Sequence, residues 1–387
     1  MTPINPLFDS FPERRGTCSA KWDGMAEGVI PMQVADMDFR SPQCVIDALK
    51  ARADHGMFGY SFAGDAFFEA ACGWQARVHG CTVNKEEILP AAGVITGLQW
   101  AMKALTPEGG CVILLPSYPP FMSVPENLSK PLHPVTMPNQ NGRWELPLEA
   151  LERELSREDV NAFILCNPHN PTGRIWTREE LCSMLSLCKK HGVTVYSDEI
   201  HGDIILPGEE FVSVLSLPEE LAGEAVVLNA PSKTFNLPGL QTSCMIVRNP
   251  AQRKKIAELM GRNHVPGPDI MGFAAATAAY TGGEEWLREM VRYVAGNLDV
   301  MADFFARELP EISFIRPQAT YLAWLDCRKT GLSCKELHEK FLSAGVSLGV
   351  GTNFGETAGE GFMRLTAACP RALLTEALRR MKKALHG

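Results

Sequence analysis

The sequence is short of several features that mark specialised classes of protein. It has no block of lysines or arginines, and its formal net charge is −8 at pH 7, so binding to nucleic acid is disfavoured. Its longest weakly polar run, at 270–280, is far shorter than the about 20 residues that cross a bilayer. The first eleven residues lack a basic segment followed by an apolar one, and so lack the pattern of a secretory signal. We expect a protein that binds neither nucleic acid nor membrane.

The twelve cysteines are scattered rather than paired. No C-x-x-C pair occurs, and no cysteine–histidine cluster has the spacing of a zinc site. A chain of 387 residues, 45% of them hydrophobic, can bury a core without disulfides. The cysteines are therefore expected to be buried thiols of a reduced, cytoplasmic protein that holds no metal.

Helical patterns alternate with short apolar runs over most of the chain. Apolar strands separated by helices are typical of a parallel or mostly parallel sheet that is buried on both faces. Helices are predicted at 42–52, 65–78, 93–105 and 178–192. Strands are predicted at 111–118, from 162 into a turn that ends at 173, and at 193–200, 225–233 and 242–248. The sequence therefore predicts an α/β fold with a mostly parallel main sheet.

The pattern changes near residue 286. A long amphipathic helix at 286–310 is followed by a strand at 320–327, a helix around 333–344 and a strand within 361–370. This order indicates a second, smaller α/β layer packed beside the first. We expect a large domain at 46–285 and a small domain at 286–387, preceded by an irregular segment at 1–45.

Polar side chains follow the ends of four predicted strands. Sites in open parallel sheets lie at the carboxyl ends of the strands, so we expect one crevice to hold Tyr118, Asn170, Asp198 and Lys233. Burial would lower the pKa of Lys233 and free its amine to form a Schiff base with a carbonyl. Pyridoxal phosphate is the principal cofactor of that kind, and Asp198 could pair with its pyridinium nitrogen. The alternatives are an exposed loop lysine and an aspartate that caps a helix.

Two further stretches offer groups that such a cofactor needs. Gly93 lets the backbone approach an anion, and the amide groups of Val94 and Ile95 would open the next helix toward a phosphate. Ser232 could add a hydroxyl donor. The turn CNPHNPTGR (166–174) has two Asn-Pro pairs, which would hold the amide of Asn170 at a fixed position.

Three motifs in this order carry a resemblance to a known family: NPHNPTG (167–173), SDEIH (197–201) and APSKTFNLPGL (230–240). They resemble the fold-type I pyridoxal-phosphate enzymes of the aspartate aminotransferase superfamily, and the resemblance covers nearly the whole chain. It implies a mostly parallel, seven-stranded-type sheet flanked by helices. It also implies a small α/β domain built from both chain ends, with 1–45 joining 286–387.

Stretches near both ends narrow the resemblance to the cystalysin-type cysteine-S-conjugate β-lyases, which include cystathionine β-lyases. They are RRGTCSAKWD (14–23), PMQVADMDF (31–39), FGYSF (58–62), TYLAWLD (320–326) and RLTAACPR (364–371). This branch also contains a regulator of a maltose system.

The resemblance implies roles for the strand-end residues. Lys233 would carry pyridoxal 5′-phosphate and act as the base for the substrate Cα proton. Asp198 would pair with the pyridine nitrogen. Asn170 would hold the ring O3′ and contribute to binding of the substrate carboxylate, and Tyr118 would stack on the ring.

The resemblance also implies groups for the two anionic ends of the ligands. Val94, Ile95 and Ser232 would bind the phosphate, and Arg364 would clamp the substrate α-carboxylate with a bidentate pair. Tyr60 would reach the phosphate held by the neighbouring subunit. The active unit would then be a homodimer with composite sites.

Two positions depart from the wider superfamily. Gln241 stands eight residues after Lys233, where most of these aminotransferases have an arginine that binds the phosphate. His201 stands where many relatives have a tyrosine bonded to O3′, and an imidazole can donate there only in one tautomer. A helix-start residue that caps the backbone is the alternative for His201.

Three functions remain open from sequence. The first is a pyridoxal-phosphate C–S β-lyase, which cleaves cystathionine or related L-cysteine conjugates to a thiol, pyruvate and ammonia. The second is an aminotransferase, because the same lysine serves both reactions and the fold does not fix the reaction. The third is a cofactor-binding regulator that sequesters a transcription factor by protein–protein contact.

Overall fold

A computed structural model describes residues 5–140 and 142–387. Its helices are α1 (Gln43–His55), α2 (Asp65–His79), α3 (Val94–Leu105), α4 (Pro120–Asn127), α5 (Leu148–Leu155), α6 (Arg178–His191), α7 (Glu219–Ala222), α8 (Pro231–Thr234), α9 (Pro250–Arg262), α10 (Ile270–Gly282), α11 (Glu284–Glu308), α12 (Cys334–Ser343) and α13 (Arg371–His386). Within the described ranges, no helix is both long and apolar enough to cross a membrane.

The strands are more numerous than the sequence predicts. They are β1 (Ile30–Pro31), β2 (Ile88–Ala91), β3 (Gly110–Leu115), β4 (Leu132–Thr136), β5 (Asn139–Gln140), β6 (Arg143–Trp144), β7 (Val160–Cys166), β8 (Thr194–Asp198), β9 (Val226–Asn229), β10 (Ser243–Val247), β11 (Ser313–Phe314), β12 (Leu322–Asp326), β13 (Val346–Ser347), β14 (Gly349–Val350) and β15 (Phe362–Thr366).

The main sheet of the described chain has seven strands in the order β2-β10-β9-β8-β7-β3-β4. The pairs from β9 through β4 are all parallel, and β10 runs antiparallel to both of its neighbours. The predicted mostly parallel α/β sheet is confirmed. Parallel strands point their carboxyl ends to one edge of the sheet, so the segments that follow β3, β7, β8 and β9 meet there.

Both faces of this sheet are buried. Side chains alternate between the faces along a strand, and accordingly Phe163 and Val227 belong to one apolar cluster, whereas their neighbours Ile164 and Leu228 belong to the other. Helix α3 covers the second face through Leu98, which is fully buried. This double burial explains why the strands read as continuous apolar runs.

Two strand boundaries correct the sequence-based expectation. The strand expected at 225–233 ends at Asn229, because Ala230 is still extended and Pro231 then starts the short helix α8. Proline favours the first helical position, where its missing N–H costs nothing. Lys233 therefore lies one helical turn beyond the strand. Likewise β3 ends at Leu115, before Pro116, rather than at 118.

A smaller antiparallel sheet, in the order β11-β12-β15-β14, is formed by the carboxy-terminal part of the chain. The amino-terminal segment is attached to that part. Ile30 of β1 pairs in parallel with Val346 of β13, and the Asp38 amide donates to the Ala368 carbonyl at 2.9 Å. The exact division into two domains stays a prediction.

Candidate active site

A cavity of about 390 Å³ lies at the carboxyl edge of the parallel strands. Of the residues singled out from sequence, those lining it are Val94, Ile95, Tyr118, Asn170, Asp198, His201, Ser232, Lys233 and Gln241. Arg364 reaches the same place through Asn170, to whose Oδ1 its Nη1 donates at 3.2 Å. Segments far apart in sequence therefore converge on one crevice.

Lys233 projects from α8 toward the amino-terminal segment. Its Nζ donates to the carbonyl of Ala35 at 2.7 Å. Burial and the positive charge of Arg364 lower the pKa of Lys233 to about 8, against the opposing influence of Asp36 and Asp198. An amine with this pKa is partly neutral near physiological pH, which a nucleophile or a base requires.

Asp198 is the last residue of β8, and its side chain is buried. Its Oδ1 accepts a hydrogen bond from the amide of Ile200 at 3.0 Å. Burial raises the pKa of Asp198 to about 7, although the Ile200 amide and the Lys233 charge act in the opposite direction. The residues after it form turns rather than the helix that an N-cap would require. Among the described residues, Lys233 supplies the positive charge that acts on this carboxylate, and it does not offset the effect of burial.

Arg364 lies in the middle of β15, where it is buried. Besides its bond to Asn170, its Nη2 donates to the carbonyl of Gln33 at 2.9 Å, and its guanidinium lies 4.7 Å from the centre of the Phe354 ring. No described residue accepts a hydrogen bond from its Nε. Burial lowers the pKa of Arg364 to about 10. A buried guanidinium with an unused donor suits a carboxylate ligand.

The opposite end of the cavity is built on the first turn of α3. Gly93 precedes that helix with φ 98°, a conformation that favours glycine. The amides of Val94, Ile95 and Thr96 have no preceding helical turn to accept their hydrogens. Ser232 also lines this cavity. This helix start offers several donors and a positive dipole end to a phosphate.

His201 and Tyr118 complete the polar lining. Burial, with the charges of Lys233 and Arg364, lowers the pKa of His201 to about 3, so the imidazole is neutral. No described residue bonds its Nδ1. His201 lies in a turn, not at a helix start as the alternative required. The Tyr118 ring packs edge-on against Phe121 with centroids 5.5 Å apart.

The structure does not bring Tyr60 to this cavity. The Tyr60 side chain is fully exposed, and the neighbouring side chains of Met57, Phe58 and Phe62 are each mostly exposed. Phe58, Tyr60 and Phe62, together with residues 266–271, line a separate, open depression. Within one chain Tyr60 therefore has no link to Lys233, and its role across a subunit interface stays a prediction.

Several residues at the site were missed from sequence. Ala35 contributes only a backbone carbonyl, and Tyr321 donates its hydroxyl to that same carbonyl at 3.1 Å. Both occur in stretches that were recognised only as family markers. Thr96 and Thr242 line the cavity beside predicted residues. Their closeness to Ile95 and Gln241 in sequence was the available signal.

These residues fit pyridoxal 5′-phosphate. The cavity offers phosphate donors at the start of α3, a nucleophilic amine at Lys233 and a buried carboxylate at Asp198. A pyridinium nitrogen would place a close cation beside Asp198. The ring oxygen O3′ would suit the unbonded Nδ1 of His201 or the side-chain amide of Asn170. Each unmet polar group thus has a counterpart on the cofactor.

Residues 27–381 match the family described as aminotransferase class I and II. The chain belongs to that family. In Bacillus subtilis (strain 168), cystathionine beta-lyase PatB is 43% identical over 98% of this chain and 99% of its own length. Protein MalY of Escherichia coli (strain K12) is 33% identical over 95% of each chain.

Solved structures agree with this membership of the aminotransferase class I and II family. Cystalysin from Treponema denticola, whose crystal structure contains a pyridoxal 5′-phosphate cofactor, superposes with a TM-score of 0.94 at 30% identity. The match covers 98% of this chain and 98% of that chain. The family assignment and the fold therefore agree with the geometry of the cavity.

The shifted pKa of Lys233 can be measured in the cofactor-free protein. We expect the rate of Lys233 acetylation by acetic anhydride, read by mass spectrometry, to reach half its maximum near pH 8, because only the neutral amine reacts. An ordinary lysine titrates near about 10.4. Exposed Lys383 in the same sample serves as the reference. A Lys233 midpoint above pH 10 would contradict the enclosed site.

Proposed function

We propose that this protein is a pyridoxal-phosphate-dependent C–S β-lyase that acts on L-cystathionine or related L-cysteine S-conjugates. The observation that carries the proposal is the convergence of Lys233, Asp198 and Arg364 on one cavity in a chain whose relatives include a cystathionine beta-lyase at 43% identity. The roles below follow from the contacts of these residues.

Pyridoxal 5′-phosphate, when bound, supplies an electron-accepting ring that disperses negative charge from the substrate Cα. Asp198 would pair with the ring nitrogen. A protonated ring nitrogen would stabilise the carboxylate form of Asp198, which burial alone disfavours. Tyr118 would cover one face of the ring. His201 and Asn170 would share O3′. Phosphate donors would come from Val94, Ile95 and Ser232, together with the newly found Thr96 and Thr242.

Lys233 would anchor the cofactor and later act as the base. As an unbound amine, Lys233 would remove the proton from the substrate Cα. The electron pair left on Cα would then form a double bond to Cβ, and the Cβ–S bond would break with its own electron pair leaving on sulfur as a thiolate. Hydrolysis of the remaining three-carbon fragment yields pyruvate and ammonia. A proton on Lys233 is therefore available for the leaving sulfur.

Arg364 would orient the substrate by its α-carboxylate, with Asn170 beside it. Apart from Arg364, which reaches the cavity through Asn170, Lys233 is the one strong cation among the described residues at the cavity. A second carboxylate on the substrate side chain would find no partner from this chain, so a range of thiol leaving groups is expected. Specificity would then depend on shape rather than on a second ion pair.

Transamination is the second candidate, because the matched family is described by that activity. It would use the same Lys233 base and the same Arg364 clamp. The two reactions differ after the Cα proton is removed. In transamination Lys233 would return that proton to the cofactor, whereas in elimination the Cβ–S bond would break. The β-lyase names of the relatives favour elimination.

We also propose a homodimer with composite sites. The apolar side chains of Phe58, Tyr60 and Phe62 are largely exposed on one short stretch, and such a contiguous patch is typical of an interface. An isologous contact through this stretch would carry Tyr60 to the phosphate of the other subunit. The cytoplasm is the proposed location, in line with free thiols at all twelve cysteines.

A direct assay separates the two reactions. Purified protein loaded with the cofactor is incubated with cystathionine, and pyruvate and free thiol are measured with and without a keto-acid acceptor. The lyase should release both in equal amounts without the acceptor. Borohydride reduction followed by mass spectrometry should place the cofactor adduct on Lys233. Turnover that strictly requires the keto acid, or an adduct on another lysine, would overturn the proposal.

Replacing Arg364 tests the carboxylate clamp. Arg364→Ala should raise KM and lower kcat/KM by about 2–4 kcal/mol, because a bidentate charge-assisted contact is lost. Arg364→Lys should fall between, since it keeps the charge but not the planar fork. The cofactor absorbance should stay nearly intact in both. Unchanged kinetics in the alanine variant would mean that the carboxylate is held elsewhere.

Subunit mixing tests the composite site. Tyr60→Phe should weaken cofactor binding by about 1.5–3 kcal/mol, the worth of one hydrogen bond to a charged group. Mixing Tyr60→Ala with Lys233→Ala chains should restore about one quarter of wild-type activity, because half of the dimers are mixed and each has one intact site. No recovery after proven subunit exchange would show that Tyr60 does not act across the interface.

A further inference from the structure

Two amino-terminal stretches that the proposed chemistry does not use are joined by a buried cluster of charges. Lys21 and Asp38 are both completely buried, and Nζ of the lysine lies 2.7 Å from Oδ2 of the aspartate. Arg14 adds bonds to Asp38 at 2.7 Å and to Asp36 at 2.9 Å. The indole of Trp22 donates to the second oxygen of Asp38 at 2.8 Å. These ion pairs and hydrogen bonds join the stretch RRGTCSAKWD (14–23) to the stretch PMQVADMDF (31–39).

The stretch at 31–39 contacts Lys233 and Arg364, the proposed base and carboxylate clamp, through the carbonyls of Gln33 and Ala35. The carbonyl of Gln33 accepts from Arg364 at 2.9 Å. Two residues on, the carbonyl of Ala35 accepts from Lys233 at 2.7 Å and from the Tyr321 hydroxyl at 3.1 Å. One segment therefore contacts both the amine carried by α8 and the guanidinium carried by β15.

The same segment is also fixed from the lysine side. Asn236, three residues after Lys233, adopts φ 58° and donates from its amide to the carbonyls of Met37 and Phe39 at 3.0 and 2.9 Å. Its Oδ1 accepts from the Met37 amide at 3.0 Å. The turn that carries Lys233 and the segment that receives its hydrogen bond are thus tied together.

A buried ion pair is a poor source of stability, because removing two charges from water offsets most of their attraction. A buried pair can instead restrict conformation, because the backbone around Lys21 and Asp38 has few other arrangements in which both charges stay paired. The cluster sums to two positive and two negative charges, so it can fix the backbone without adding net charge beside the cavity.

We infer that Lys21 and Asp38 are positioning residues, which fix residues 33–38 so that the carbonyls of Gln33 and Ala35 set the separation of Arg364 and Lys233. The inference rests on the proposed function, in which these two cations hold the substrate carboxylate and take its Cα proton. A shift of about 1 Å between such groups can cost on the order of a hundredfold in rate.

The test replaces the pair by neutral side chains of similar size. Pyridoxal 5′-phosphate is added to cofactor-free protein, and its adduct at Lys233 is fixed with borohydride at successive times. In Lys21→Met/Asp38→Asn the adduct should form about tenfold more slowly than in the wild type, and amide hydrogen exchange over residues 33–38 should be faster. The loaded variant should show a lower kcat and a higher KM together, since both cations lose their fixed positions.

Arg248→Met is the matched control. Arg248 also bonds a carboxylate, on Glu219 at 2.8 Å, and a carbonyl, on Leu215 at 2.9 Å, but it follows β10 at the sheet edge opposite the cavity. It should lower the melting temperature without changing adduct formation or KM. If the double variant does not fold, Asp38→Asn alone is judged by the same measurements.

The outcomes separate the two proposals. Absence of an adduct at Lys233 in the wild-type protein would overturn the proposed function. A wild-type adduct with an unchanged rate, unchanged hydrogen exchange and unchanged KM in the folded variant would overturn the positioning role alone. A loss of thermal stability without those changes, as in Arg248→Met, would equally assign the pair a merely structural role.

Discussion

The site depends on the burial of three ionisable groups that meet at the cavity: Asp198 and Lys233 from the carboxyl edge of the main sheet, and Arg364 from β15 of the smaller sheet. Burial moves each group toward its neutral form: the pKa of Asp198 rises to about 7, that of Lys233 falls to about 8 and that of Arg364 falls to about 10. Such opposed shifts are typical of functional sites. In isolation the arrangement is costly, because each charge lacks a full partner.

The proposed ligands supply the missing partners. The substrate carboxylate would pair with Arg364, and the pyridinium would pair with Asp198. The carbonyl carbon of the cofactor would react with the neutral amine of Lys233. Phosphate finds donors at the start of α3, whose first amides have no partner within the helix. The fold can hold unmet groups because its double-sided core, with residues such as Leu98 and Phe163 buried on opposite faces, supplies the stability elsewhere.

Much of this arrangement could be predicted from sequence, for a specific reason. Side chains with chemistry at the ends of apolar runs mark a carboxyl edge, and Asp198 and Asn170 were found in that way. The position of Lys233 was less accurate, because Pro231 turns the chain into a helix before the lysine is reached. Strands β2 and β4 were missed, since ILPA and LHPVT each contain a proline and are only partly buried.

Other features leave no mark in a sequence. The antiparallel direction of β10 cannot be read from SCMIV, which is buried throughout, much as the parallel strands β7 and β8 are. The contact of Lys233 with Ala35 joins a side chain to a backbone carbonyl, which every residue possesses. The role proposed for Tyr60 would require a second subunit, because its ring is fully exposed in the single chain.

The amino-terminal segment shows how distant motifs can form one unit. Two runs of residues marked the cystalysin-like branch in sequence, and their charges meet only after folding, as Arg14 and Lys21 with Asp36 and Asp38. Equal numbers of positive and negative groups hold the segment while leaving the balance at the cavity to Lys233, Asp198 and Arg364. A branch that differs in its amino-terminal segment could thus alter the placement of shared catalytic groups without changing them.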